Sequence, residues 1–265
     1  MAVLNALRRT PSALARNPVL FVPILALALV QVPQLALQSI NPLLSSVVSF
    51  AMSLVFIVVI PFFQGGTIAM ANESLDGRTS LQTFITEGKA NYVQILVAYL
   101  LLVAVSFVLG IIAFFVGLFG GVLVLASGGF ESMNLLALGA IAAVVGIVIL
   151  LYVLFIFFVQ FYGQAIVLDD YDAIDGLKHS ASVVRHHLVS TLGYAIIGGI
   201  LGGLLGGIAA LGSLLLSPRT ASVFHLPELA LPIAVLGGFV VLGLTVLLGG
   251  FFSVYSVAFY RALTR

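Results

Sequence analysis

The sequence has no cysteine and no tryptophan among its 265 residues, and only 7% of it is charged. Without cysteine there is no disulfide, no thiol nucleophile and no thiolate-bound metal. The shortage of charge excludes more. A soluble domain carries roughly 25% charged residues, and a chain that is 62% hydrophobic cannot cover its own surface with polar groups. The solvent for most of it is therefore lipid. A net charge of +1 offers no field for a polyanion, so no nucleic-acid partner is expected. Lysine is scarce as well: only Lys89 and Lys178 among 10 basic residues. With the aspartate-rich loops, this balance suits a high-GC prokaryote such as a salt-loving archaeon.

What the chain does have is six long apolar runs, at roughly 18–39, 43–70, 92–126, 134–168, 188–216 and 231–260. A bilayer core needs ~20 apolar residues in a helix. The runs are continuous rather than alternating, and lipid leaves no backbone group unpaired, so they read as helices and not as barrel strands. Ala26-Leu27-Ala28 imitates a leader-cleavage site after Arg8, Arg9 and Arg16, but the apolar stretch continues beyond it. A retained first helix is expected. The longest spans should tilt, kink or project from the membrane. Pro61 and Gly65-Gly66 are expected break points in the second, and Asn41-Pro42 makes a tight first turn.

Basic residues orient the bundle. Arg8, Arg9, Arg16, Arg78, Lys89, Lys178, Arg185, Arg261 and Arg265 fall on one side of this layout and only Arg219 on the other. Positive loops face the cytoplasm, which places both termini inside a cell membrane crossed several times.

The segments on the basic side resemble one another. Thr10, Ser80 and Ser180 each precede a short polar stretch that leads into a span. A hydroxyl there can cap a helix by accepting a backbone N–H bond, and Pro11 suits the first helical position. The even spans end alike in Phe62-Phe63-Gln64, Phe158-Val159-Gln160 and Phe251-Phe252-Ser253. The expected fold class is all-α: one membrane domain over residues 1–265, built as three hairpin repeats (about 5–71, 75–168 and 172–261) with interfacial amphipathic helices. On the pre-span helices around Thr10, Ser80 and Ser180, and on Asn17-Pro18, the chain resembles a prokaryotic family of six-helix membrane proteins of unknown function. It is also similar to the membrane domain of some glycerophosphodiester phosphodiesterases. The soluble domain of those enzymes is absent from this sequence, so the resemblance implies a fold and no activity.

Every charged residue falls in a loop or at a span end. Intramembrane charge marks proton relays and ion paths, so a proton-driven pump or a voltage sensor is not expected. The densest polar cluster runs over 169–187, with Asp169, Asp170, Asp172, Asp175, His179, His186 and His187. Asp172-x-x-Asp175-Gly176 resembles the opening of the motif of CDP-alcohol phosphotransferases. His179 and Ser180 depart from that motif, and no later aspartates complete a metal pair. No Gly-x-Ser-x-Gly elbow accompanies the histidines. A solvated acidic loop is the plain reading, with weak cation binding or a lipid-modifying activity as alternatives. No catalytic residue, metal or cofactor is assigned.

Two further patterns stand out. Gly198, Gly199, Gly202, Gly203, Gly206 and Gly207 form two rows at spacing four on the fifth span. Such a glycine zipper lets helices approach closely, within the bundle or between copies, and Gly237-Gly238 and Gly249-Gly250 on the sixth span are the expected receivers. Gln31, Gln34 and Gln38 share a face of the first span, and Ser46, Ser49 and Ser53 share one on the second. They bond the two helices together or line a polar pocket open to the outside. The functional expectation is a non-catalytic membrane protein that handles a lipid-like or small neutral molecule, or that serves a transporter or lipid enzyme as partner.

Overall fold

The computed structural model describes residues 2–40, 42–216 and 231–265. It is all helical. In chain order the α-helices are α1 (Ala2–Arg16), α2 (Phe21–Ile40), α3 (Pro42–Asp76), α4 (Leu81–Ala90), α5 (Tyr92–Ala126), α6 (Leu135–Val159), α7 (Tyr162–Asp169), α8 (Ala173–His186), α9 (Leu188–Leu216) and α10 (Leu231–Thr264), with short 3₁₀ turns at Pro18–Leu20 and Phe130–Ser132. Among the described residues, five helices are long and apolar enough to cross a membrane. The number is six if α1 and the start of α2, bent by 96° at Asn17, count as one broken span.

α3 continues through Pro61. The proline has no N–H for the ladder, yet the helix is not interrupted there. Gly65 and Gly66 likewise do not break it; they give room to neighbours. A Cβ on Gly66 would sit 2.5 Å from the Phe84 carbonyl oxygen of α4, and one on Gly88 would sit 2.9 Å from the Phe62 carbonyl oxygen of α3. The two helices therefore approach backbone to backbone, with Phe62, Phe63 and Phe84 packed edge to face around the contact.

The short helices are amphipathic and turn their apolar faces inward. Ala6, Ala13 and Leu14 of α1, Phe84 of α4, and Val183 and Val184 of α8 are all buried. Each packs on the closing part of a long helix: α4 on α3, α8 on α7, and α1 on α10. Those closing parts form the core. Residues 161–166 and 254–260 are buried without a break, as a helix surrounded on all sides must be.

Two of the three expected helix caps are elsewhere. Ser80 does cap α4, accepting from Thr83 N at 3.3 Å. Thr10 lies in mid-helix, fully buried, and donates to the Ala6 carbonyl at 2.9 Å. Ser180 is also mid-helix and buried; the cap of α8 is Asp172, which accepts from Asp175 N at 2.8 Å. α1 and α8 extend further toward the N-terminus than the hydroxyl pattern suggests, because Thr10 and Ser180 bond to carbonyls inside the bundle instead of capping a helix.

Packing thins toward the other end. α6 has no buried residue at all. α3 packs on α5 and α10 packs on α2, whereas among the described residues no comparable contact joins α6 to α9.

Candidate functional site

The polar residues at the packed end link the three closing helices in a ring. Tyr162 donates to Gln64 Oε1 at 2.7 Å, joining α7 to α3. Gln164 donates to Ser256 Oγ at 2.7 Å, joining α7 to α10, and Tyr194 of α9 donates to the same oxygen at 2.9 Å. Tyr260 donates to the Asp169 carboxylate. Arg261 closes the ring with a two-pronged bond to Asp76, at 2.8 and 3.1 Å, joining α10 to α3. A further lock lies at Ser180, which donates to the Phe158 carbonyl at 2.9 Å and accepts from Phe161 N at 3.0 Å.

The neutral members of the ring, Gln64, Tyr162, Gln164, Tyr194 and Ser256, are bonded to one another, with no nucleophile set beside a base. What they do is fix helix register in a medium with no competing water. Ser256→Ala should therefore destabilise strongly for so small a change. It strands two buried donors, each costing about 1–3 kcal/mol. Tyr194→Phe, which removes a donor together with its need for a partner, should cost less. Thermal unfolding in detergent would rank them, and equal melting of Ser256→Ala and the native chain would show that the ring is not under load.

The acidic loop is occupied by structural tasks. Asp170 closes α7 in the left-handed conformation, φ 55°. Asp172 caps α8, and Asp175 holds Lys178 at 2.9 Å, which keeps the ammonium above the ordinary lysine value. His179 stacks on Tyr171 with ring centres 4.5 Å apart. His186 Nδ1 lies 2.8 Å from the Ser182 carbonyl oxygen. Among the described residues, no three acidic or imidazole side chains converge as a metal site would require.

Of the polar stripes, the side chains of Gln31, Gln34 and Gln38 lie outside the described residues. Ser46 and Ser53 are exposed on α3 and Ser49 is half-buried; Ser53 donates to the Ser49 carbonyl at 2.8 Å. Arg219, on which the orientation count turns, also lies outside the described residues. On α9, a Cβ at Gly198 would lie 3.1 Å from the Phe252 ring of α10. A Cβ at Gly199, Gly202, Gly203, Gly206 or Gly207 would meet nothing within 4 Å. Of the expected receivers, Gly249 and Gly250 face α2, where an added Cβ would lie 3.2 Å from Ile24 and 2.5 Å from Phe21, and a Cβ at Gly237 or Gly238 would meet nothing within 4 Å.

Sequence reading missed Gln164, Tyr194 and Ser256. A glutamine four residues before the end of the fourth apolar run, with a serine in the same place on the last, was the available signal.

Long apolar helices, charge confined to their ends and a core of buried polar bonds define a multi-pass membrane protein. The chain belongs to the family described as Domain of unknown function (DUF7847), whose model matches residues 1–263. No curated protein and no solved structure matches it.

Proposed function

We propose that the protein is non-catalytic and receives a lipid-like or small neutral molecule between its second and third hairpins, by itself or as the accessory of a transporter or lipid enzyme. The observation that supports this is the unequal packing of the three junctions: α3–α5 and α10–α2 are packed, and α6–α9 is not. The helices flanking the gap carry what such a gap needs. α6 buries no side chain, and five glycines of α9 have open space beside them. The retained molecule would be apolar, since both walls are.

The same reading treats the chain as three hairpin repeats about a common axis along the membrane normal. It is supported by the element order and by the way each short helix docks on the closing helix of the hairpin before it, with α1 docking on the last. A cytoplasmic location of the packed end follows from the basic residues there. Single cysteines at Ser80, Ser182 and Ser222 test it on a cysteine-free background: only the Ser222 variant should react with an impermeant thiol reagent on intact cells, and labelling at Ser80 would reverse the orientation. The glycine zipper and the Gln31, Gln34, Gln38, Ser46, Ser49 and Ser53 pocket stand as secondary proposals, for contact between copies and for polar access from outside.

The deciding experiment is to purify the chain, exchange the detergent exhaustively and identify retained small molecules by mass spectrometry. About one apolar molecule per chain should survive, and should be lost when Gly203→Leu and Gly207→Leu fill the open side of α9. Nothing retained, or retention indifferent to the substitutions, rules the gap out as a binding site.

A further inference from the structure

We infer that the groove between α3, α4 and α5 binds an anionic phospholipid, with Lys89 as the cation for its phosphate. The groove has a volume of ≈ 470 Å³ and is lined by Val58, Val59, Phe62, Phe63, Lys89 and Tyr92. It is separate from the gap between α6 and α9 and does not depend on it. Four of its six lining residues are pure hydrocarbon, one is a cation and one is a phenol, and their order along the bundle matches the order of parts in a lipid.

The height is right. Lys89 sits in the last turn of the short polar helix α4, and Tyr92 opens the 35-residue apolar helix α5. That step from polar to apolar is where a bilayer's headgroups lie, and tyrosine favours that level. The apolar lining extends from there along α3, the direction an acyl chain takes. Phe62 and Phe63 are held by Phe84, with each ring centre 5.2 Å from that of Phe84, so the bed is rigid before a lipid arrives.

The charge is available. Lys89 is exposed, and among the described residues no carboxylate lies within 4.0 Å of its ammonium; the ion pairs are Lys178–Asp175 and Arg261–Asp76. Its neighbour Glu87 accepts from Asn91 Nδ2 at 3.2 Å. Tyr92 donates its proton to the Val58 carbonyl at 3.1 Å, so the phenol fixes the groove wall and leaves the phosphate to Lys89. A free phosphate would gain one ion pair and set its remaining oxygens against hydrocarbon, whereas a lipid satisfies both halves of the groove.

The chain contains no tryptophan, so Val58→Trp, at an exposed lining position, gives a single fluorescent reporter. Its quenching is compared in vesicles of phosphatidylcholine containing either brominated phosphatidylglycerol or brominated phosphatidylcholine. Brominated phosphatidylglycerol should be preferred about fivefold, the value of one lysine near an anionic leaflet. Lys89→Gln should bring the ratio close to one, Lys89→Arg should keep it, and Lys178→Gln, on a different helix, should keep it too. If the reporter variant does not fold, native mass spectrometry of the chain without a reporter and of Lys89→Gln, both exposed to phosphatidylglycerol, makes the same comparison of lipids retained. Equal quenching by the two lipids overturns the site, as does an unchanged ratio in Lys89→Gln or an equal loss in Lys178→Gln. A ratio abolished by inorganic phosphate but not by chloride at the same ionic strength also overturns it, because Lys89 would then hold a free anion.

Discussion

Gly66→Ala should unfold the packed end of the bundle. The methyl group would sit 2.4 Å from a Phe84 ring carbon and 2.5 Å from the Phe84 carbonyl oxygen. A ring can rotate away, but the carbonyl belongs to the backbone of α4 and moves only with the whole helix. Overpacking typically costs about 1–3 kcal/mol; a methyl driven into a backbone contact belongs at the top of that range or above it. The double variant Gly66→Ala, Phe84→Ala separates the two causes, since it removes the ring and leaves the carbonyl. It should show no recovery of thermal stability. Gly77→Ala, with nothing within 4 Å of the added methyl, is the matched control and should melt close to the native chain. Recovery in the double variant would mean that the helices are separated by side chains, not by backbone.

Asn17→Ala should be nearly as damaging, through hydrogen bonds instead of volume. Asn17 is 2% exposed at the sharp bend between α1 and the first span. Its amide donates to the Ala13 carbonyl at 3.0 Å and the Gly77 carbonyl at 3.0 Å, and its oxygen accepts from Thr79 N at 2.9 Å. One side chain thus ties the first helix to the turn between α3 and α4, 60 residues away. Truncation leaves the Gly77 carbonyl and the Thr79 N–H without partners in a part-buried setting, at about 1 kcal/mol or more each. A fall in melting temperature together with faster tryptic cleavage after Arg78 is expected. Asn91→Ala, at the corresponding bend before α5, should be mild, because Asn91 bonds only to Glu87 of its own helix. Equal effects at the two positions would show that the bend, and not the long-range tie, needs asparagine.

These two residues also mark how far the sequence can be read. The spans were legible because lipid imposes one rule on every residue in them, and α5 and α9 begin and end where the apolar runs do. The amphipathic helices were legible for the same reason, since Leu14, Phe84 and Val184 had to face away from water. The polar core was not. Gln64, Gln160 and Ser253 look equivalent at the ends of three spans, yet only Gln64 joins another helix; Gln160 donates to Phe157 in its own turn. Which face of a helix meets which neighbour depends on rotation, and an almost uniformly apolar span carries no periodicity to set it. The same uncertainty misled the glycine reading: Gly249 and Gly250 meet α2 instead of α9, because a glycine pair offers space without specifying who takes it.

The docking of α1 on α10 joins two helices more than 200 residues apart in the chain. Until α10 has been made, the face of α1 around Ala6 lacks the helix it chiefly packs on, while Ala13 and Leu14 already have Ile68, Met70 and Phe84 beside them. A contact so distant along the chain forms late, and surface left waiting for it is open to capture or aggregation. While α10 is unmade, α1 is therefore an amphipathic helix with part of its apolar face uncovered.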